Sequence, residues 1–119
     1  MTDSEIKVLR RAEVFQSEIF AGYLQEELGG LWVFEYIDGY KDTPISLTLP
    51  VRQEAYTFKE FPAVFDGLLP EGAQLEALLK THKIDRNDYF KQLVTVGRDL
   101  VGSLSVRLSK STITELEEA

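Results

Sequence analysis

The sequence predicts a single α+β domain: a small antiparallel twisted sheet, a meander that is partly barrel-like, packed with about three helices. Three observations lead to this class. The first fifty residues alternate between β-rich runs and short turn signals. Residues 61–97 then carry apolar side chains at helical spacing, and residues 104–108 return to the period of a strand. A chain of 119 residues is long enough for one hydrophobic core but not for two.

The first half of the chain predicts four strands, at 7–15, 19–25, 31–37 and 45–49. The turn Gln16-Ser17-Glu18 separates the first two, and Gly29-Gly30 supplies the positive φ that a tight hairpin needs before the third. The third is dense in aromatic and β-branched residues, which suit a pleated surface. The fourth alternates apolar and polar residues until Pro50 removes a donor from the ladder.

The second half predicts three helices and a returning strand. The apolar positions that define the helices are Phe61, Val64, Phe65, Leu68 and Leu69; Leu75, Leu78, Leu79 and His82; and Tyr89, Phe90, Leu93 and Val94. Pro70 and Gly72 are expected to end the first helix, Asp85 to cap the third and Gly97 to stop it. The domain core is expected to span residues 7–108, and the acidic tail 109–119 is expected to fray.

Composition and charge narrow the class of function. The net charge of −7 and the pI of about 4.7 disfavour direct binding to nucleic acid, because an acidic surface repels phosphate. The same charge either attracts a basic partner surface or only keeps the protein in solution. No apolar run approaches the roughly 18–20 residues that span a bilayer, and the polar start Met1-Thr2-Asp3-Ser4-Glu5 is unlike a signal peptide. We therefore expect a cytoplasmic protein that does not contact membranes.

The residues that usually carry catalysis are almost all missing. The sequence has no cysteine, one histidine (His82) and no phosphate-binding glycine loop. These absences remove thiolate nucleophiles and thiolate metal sites, and His82 is expected to have a structural or surface role near a helix C-terminus. A hydrolase or transferase with carboxylate chemistry would need paired carboxylates of shifted pKa in a pocket. We expect a binding module that is not an enzyme and needs no cofactor and no metal.

Aromatic residues are the main candidates for partner binding. Trp32 lies in a strand whose two faces both carry large apolar groups, so this strand is either central or covered by a partner. Tyr56, Phe58 and Phe61 lie in a charged connector, where aromatic residues serve equally as core or as interface anchors. The segment 97–102 is interpreted as a turn in which the Asp99 side chain caps the backbone and pairs with Arg98.

Three motifs occur in order: Leu-Thr-Leu-Pro-Val-Arg at 47–52, Val-Phe-Asp-Gly-Leu-Leu-Pro-Glu-Gly at 64–72 and Val-Gly-Arg-Asp-Leu-Val-Gly-Ser-Leu at 96–104. Together they resemble the N-terminal domain of HipA-type serine/threonine kinases, the toxins of bacterial toxin–antitoxin systems, over residues 7–108. The motif residues, which we expect mainly to hold turns and caps, are Asp66, Gly67, Pro70, Glu71, Gly72, Gly97, Arg98, Asp99 and Gly102.

The kinase core that follows this domain in HipA has no counterpart in the sequence. The chain is therefore also similar to HipS, the small third protein of HipBST-type systems. The resemblance implies an antitoxin that binds a HipT/HipA-like kinase and blocks its active site, with a HipB-like DNA-binding protein as a second partner. Tyr56, Phe58 and Phe61 are candidates to insert toward the nucleotide cleft. The family's small antitoxin is thought to insert a Trp, whereas Trp32 lies in a predicted strand.

Other functions stay open at this point. The chain would serve as a docking domain if it were the N-terminal fragment of a longer HipA-like kinase; its start at Met1 and its ending Glu117-Glu118-Ala119 favour a free-standing protein. An accessory role in operator-bound repression, through a DNA-binding partner, is the other alternative.

Overall fold

A computed structural model describes residues 8–100 and 102–109 of the chain. Its elements in chain order are β1 (Val8–Gln16), β2 (Ile19–Glu27), β3 (Leu31–Tyr36), β4 (Tyr56–Phe58), α1 (Ala63–Asp66), α2 (Gly72–His82), α3 (Tyr89–Val96) and β5 (Leu104–Leu108). The strands form one antiparallel sheet in the order β4-β3-β2-β1-β5. This confirms the predicted α+β class with its antiparallel sheet and three helices. The sheet is open, because β4 and β5 lie at its two edges.

Two tight turns join the first three strands into the predicted meander. Gly29 and Gly30 both have positive φ, of 97° and 86°, as the sequence predicted for this hairpin. The turn between β1 and β2 also has positive φ, although it contains no glycine: φ is 51° at Ser17 and 68° at Glu18. The Ser17 amide donates a hydrogen bond to the Ser103 carbonyl at 2.8 Å, which joins this turn to the start of β5. The predicted first strand residue, Lys7, lies outside the described residues.

Helices α1 and α3 pack against one face of the sheet and close the core over it. The register places Ala12 opposite Leu24, and Leu24 opposite Phe34, so these three side chains point to the same face. The helices bury Phe65 of α1 and the pair Phe90 and Leu93 of α3 against that face. The fully buried apolar side chains at its centre are Ala12, Val14, Ala21, Leu24, Phe34, Phe65, Leu93 and Val106.

The fourth predicted strand, at residues 45–49, is wrong. The segment forms a turn in which the Leu49 amide donates to the Ser46 carbonyl at 3.1 Å. Ile45 and Leu49 are buried, but Leu47 between them is 99% exposed, so the alternation does not place all three on one face. The phenol of Tyr36 explains the turn, because it accepts from the Ile45 amide at 3.0 Å and donates to the Leu49 carbonyl.

The connector at residues 52–59 instead contains β4, which the sequence did not predict. Tyr56, Thr57 and Phe58 pair with Phe34, Val33 and Trp32 respectively, and they form one edge of the sheet. Tyr56 and Phe58 therefore lie on the core face of a strand and are half-buried, rather than exposed in a loop.

Two helices differ from their predicted bounds. Of the first predicted helix, only the four residues of α1 are helical. Leu68 and Leu69 follow it in turns, in which each amide donates to the carbonyl three residues earlier. Helix α3 is capped by Asp88, whose side chain accepts from the Lys91 amide, and not by Asp85. Asp85 instead accepts the Asn87 amide at 2.7 Å in the turn before the cap. Helix α2 buries no side chain fully, and His82 is exposed at its last residue.

The motif positions Gly72, Gly97 and Gly102 need glycine for different physical reasons. Gly72 and Gly102 have φ of 61° and 106°, which favours glycine at both. Gly97 has an ordinary helical φ of −59°, but a Cβ at this position would lie 1.8 Å from the Val106 carbonyl oxygen. Glycine is required there because β5 approaches the end of α3 closely.

The other motif residues act mainly through their backbone. Glu71 is the N-cap residue of α2 but makes no side-chain cap. The expected contact between Arg98 and Asp99 is not formed within the described residues, where both side chains are exposed. The predicted acidic tail lies, apart from Ser109, outside the residues that the structure describes, as does Val101. No helix within the described ranges is long and apolar enough to cross a membrane.

Candidate partner-binding surface

Aromatic rings from three parts of the chain meet beside β3. The ring of Trp32 packs edge-to-face against Phe61, with centroids 4.9 Å apart, and stacks against Phe90 at 6.2 Å. Phe61 in turn contacts Tyr89 at 5.7 Å. We call these four residues the aromatic cluster. Strand β3, the segment before α1 and helix α3 each contribute to it, so the cluster forms only in the folded domain.

The cluster extends from the core to the surface. Phe90 is 1% exposed and belongs to the core, Trp32 and Phe61 are half-buried, and Tyr89 is 40% exposed. Phe58 lies directly opposite Trp32 in the β3–β4 ladder, on the same face of the sheet. A graded arrangement of this kind presents apolar area at the surface while its lower layer is held rigidly, which is typical of interface anchors.

A surface groove of about 530 Å³ lies next to the cluster. Its lining residues are Trp32, Glu60, Phe61, Asp66, Asn87 and Tyr89. The groove therefore combines three aromatic rings with two carboxylates and one amide. The carboxylates of Glu60 and Asp66 belong to exposed residues at either end of the segment that carries α1.

An ion-paired arginine packs against the buried ring of the cluster. The guanidinium of Arg10 lies 4.7 Å from the centre of the Phe90 ring. It donates to Glu26 at 2.6 Å and to Asp88 at 2.9 Å, so it joins β1, β2 and the cap of α3. Burial disfavours the charged form of Arg10, but the hydrogen bonds and charges of Glu26 and Asp88 outweigh burial and raise its pKa. Arg10 is therefore fixed as a cation.

The structure brings together three of the four predicted partner-binding residues. Trp32, Phe58 and Phe61 lie side by side, and all three are half-buried and packed against the core. Tyr56 lies further along β4, opposite Phe34, where its hydroxyl donates to the Pro50 carbonyl at 2.6 Å. The Arg52 guanidinium covers the Tyr56 ring at 3.7 Å. Of the predicted loop aromatics, Tyr56 and Phe58 thus belong to a strand, and all of them pack partly against the core.

Sequence reasoning did not assign Tyr89, Glu60 or Asp66 to this surface. Tyr89 was assigned to the buried face of a helix, yet it is the most exposed ring of the cluster. The available signal was Asp88 directly before it, because a cap there makes Tyr89 the first residue of α3, whereas the predicted cap at Asp85 placed Tyr89 inside the helix. Glu60 and Asp66 border Phe61 and α1, but charge next to an aromatic residue is too common in sequences to mark a groove.

Comparisons with known proteins agree with this fold. The model of the HipA N-terminal domain family matches residues 12–107. The solved N-terminal domain of HipA toxin is similar over 85% of this chain and 93% of its own, with a TM-score of 0.67 and 27% sequence identity. An uncharacterized protein of Haemophilus influenzae is 28% identical over 103 residues, which are 87% of this chain and 96% of that protein.

The family match includes strands β2 to β4, the three helices, the three sequence motifs and β5 up to Arg107. The matches confirm the resemblance that the motifs indicated. The chain belongs to the HipA N-terminal domain family.

Proposed function

We propose that this chain is an antitoxin that binds a HipA-type serine/threonine kinase and inhibits it by covering its active site. The observation that carries the proposal is the match to 93% of the solved HipA N-terminal domain, the domain that the toxin itself joins to its kinase core. A chain with this fold has the shape needed to occupy the same place from outside. In operator-bound complexes, a HipB-like DNA-binding protein would be the second partner.

The aromatic cluster, together with Phe58 and Tyr56 on β4, is the proposed contact surface. Aromatic residues dominate the centres of protein interfaces, because they bury a large area at a small entropic cost. The half-buried rings of Trp32 and Phe61 are held by core contacts, so binding does not have to order them first. Inhibition would then come from a preformed surface that closes over the nucleotide cleft, more than from insertion of a flexible loop.

The test uses a HipA-type kinase from the same genome that lacks an N-terminal domain of its own. The two proteins are co-expressed and purified through a tag on the kinase, and autophosphorylation is measured with and without the present chain. The proposal expects co-purification and loss of autophosphorylation. A kinase that neither retains the chain nor loses activity at a molar excess would contradict it.

Variants locate the surface. Phe61→Leu and Phe58→Leu should weaken inhibition, by about tenfold or more in the concentration needed, because each removes a ring from the cluster region. Phe20→Leu is the matched control: Phe20 is also half-buried, but its ring contacts Phe15 and Tyr23 and not the cluster. Equal inhibition by all three folded variants would show that the kinase binds elsewhere.

A further inference from the structure

We propose that the groove beside Phe61 is a receptor for one cationic side chain, an arginine or lysine, of the bound kinase. The inference rests on the proposed function for the identity of the partner, and it adds the chemistry that the surface recognises. It is argued from the rings that line the groove, from the carboxylates at its rim and from a similar arrangement that the protein already contains.

The rings supply the first part of such a receptor. Trp32, Phe61 and Tyr89 all line the groove, and aromatic faces attract cations through the negative face of the π system. The rings are locked against one another at centroid distances of 4.9 and 5.7 Å, so the groove does not have to rearrange to accept a side chain. Its volume of about 530 Å³ is ample for a guanidinium and the stem that carries it.

The carboxylates supply the second part. Within residues 8–100 and 102–109, neither Glu60 nor Asp66 has a Lys, Arg or His nitrogen within 4.0 Å. Two arginines of the surrounding structure are already paired with other carboxylates. Arg10 is paired with Glu26 and Asp88, and Arg86 makes a two-pronged contact with Glu76, at 2.8 Å for each bond. The negative charge at the rim is therefore available to an outside cation.

Other ligand classes fit the groove less well. No group of three or more His, Cys, Asp or Glu residues that could hold a metal ion occurs in the described part of the chain. A nucleotide or another phosphate would meet two carboxylates on a protein of net charge −7. A single organic cation satisfies both the rings and the charge.

The aromatic cluster already shows the same recognition within the chain. Arg10 lies over Phe90 at 4.7 Å while it is held by two carboxylates, and Phe90 stacks against Trp32. The cluster thus already binds one guanidinium with a ring and two acids. The groove offers rings and two acids that have no ion-pair partner within the described residues.

The first test needs no kinase. Trp32 is the only tryptophan of the chain and lines the groove, so its fluorescence reports occupancy. The probes are a Gly-Arg-Gly peptide with blocked ends and the same peptide with citrulline, which is neutral and has the same shape. We expect a saturable change in fluorescence with the arginine peptide at millimolar concentrations and none with citrulline. The same response to both peptides, or no response to either, would overturn the proposal.

Variants then assign the effect to the rim and to the exposed ring. Glu60→Gln combined with Asp66→Asn should abolish the response to the arginine peptide, and Tyr89→Leu should weaken it while Tyr89→Phe retains it. The control is Glu18→Gln combined with Asp42→Asn, which removes the same charge at two exposed residues that do not line the groove. A response that survives the Glu60 and Asp66 substitutions as well as it survives the control would also overturn the proposal.

The kinase assay separates this inference from the proposed function. The Glu60→Gln/Asp66→Asn variant should bind the kinase about tenfold more weakly than wild type, whereas the control pair should differ by less than about twofold. Full-strength kinase binding by the rim variant would overturn the receptor but leave the antitoxin intact. Absence of kinase binding by the wild type would overturn the antitoxin, and the peptide titration would still decide whether the groove binds a cation.

Discussion

Two motif glycines, Gly67 and Gly97, differ in the space that they leave for a side chain. Both have helical φ, of −66° and −59°, so neither needs glycine for its backbone conformation. A Cβ on Gly97 would lie 1.8 Å from the Val106 carbonyl oxygen, whereas a Cβ on Gly67 would meet nothing closer than the Ala63 carbonyl at 3.4 Å. Space, and not φ, is the constraint at Gly97.

Gly97→Ala should therefore lower the free energy of unfolding by about 1–3 kcal/mol or more, because β5 has to move away from α3. Gly67→Ala should change it by less than about 0.5 kcal/mol, since the methyl group fits and alanine favours a helical conformation. Urea denaturation followed by circular dichroism measures both. Equal stability of the two variants would mean that β5 does not pack against Gly97 as described.

The Tyr36 hydroxyl holds the turn at residues 45–49. Tyr36→Phe leaves the Ile45 amide and the Leu49 carbonyl without their buried partner, which should cost about 1–3 kcal/mol of stability. In this variant the Ile45 amide should also exchange its hydrogen faster, and by a larger factor than the loss of global stability alone would cause. Tyr40→Phe is a milder control, because its hydroxyl donates only to the Thr43 carbonyl of a neighbouring loop.

The same hydroxyl gives the protein a defined response to alkaline pH. Burial raises the pKa of Tyr36 above its ordinary value near 10, and it also raises that of Tyr40, beside Asp42. The folded state therefore favours the protonated phenols, so their contribution is complete below pH 10 and is lost as the pH rises through the higher folded pKa. Wild-type stability should fall above about pH 10, and Tyr36→Phe should make that fall shallower. An unchanged slope in the variant would contradict this assignment.

Among the elements, α3 depends on one carboxylate for two contacts. Asp88 accepts the Lys91 amide as N-cap at 3.1 Å and pairs with Arg10 of β1 at 2.9 Å. Asp88→Asn keeps an acceptor for the cap but loses the ion pair, and should cost about 0.5–1 kcal/mol. Asp88→Ala loses both and should cost about 1 kcal/mol more. Thermal unfolding of the two variants measures the difference, and equal values would mean that the cap contributes nothing.

The elements that the sequence predicted correctly are those with long, regular patterns. Strands β1 to β3, helices α2 and α3 and strand β5 each span at least five residues with strand-like or helix-like composition, bounded by turns or glycines. Strand β4 has three residues, too few to show a period of two. Residues 45–49 do show that period, but Tyr36 captures both Ile45 and Leu49 in a turn. A hydroxyl that lies nine residues away along the chain cannot be inferred from local alternation.

The candidate site was predictable in part for the same reason. Trp32 and Phe61 attract notice as large aromatics in a strand and in a charged segment. The contact of Phe61 with Tyr89 is tertiary, because it joins the segment before α1 to the first turn of α3. The groove and its two carboxylates depend on that contact, so no spacing along the chain predicts them.

For the whole molecule, the net charge of −7 leads to a kinetic prediction. If the acidic surface steers the chain toward a basic kinase face, the association rate should fall by about tenfold or more as NaCl rises from about 50 to about 500 mM. Stopped-flow fluorescence of Trp32 measures this rate on mixing with the kinase. An association rate that does not change with salt would mean that the charge serves solubility alone.

The two edge strands of the sheet, β4 and β5, affect whether copies of the chain can aggregate. Exposed strand edges act as templates on which a second chain can add, which is a route to fibrils. At one edge the Val106 amide already donates to the Gly97 carbonyl at 3.0 Å, and at the other β4 offers only three residues. The close approach of Gly97 to β5 thus also occupies one backbone donor of this edge, which is then not available for pairing with a neighbouring molecule.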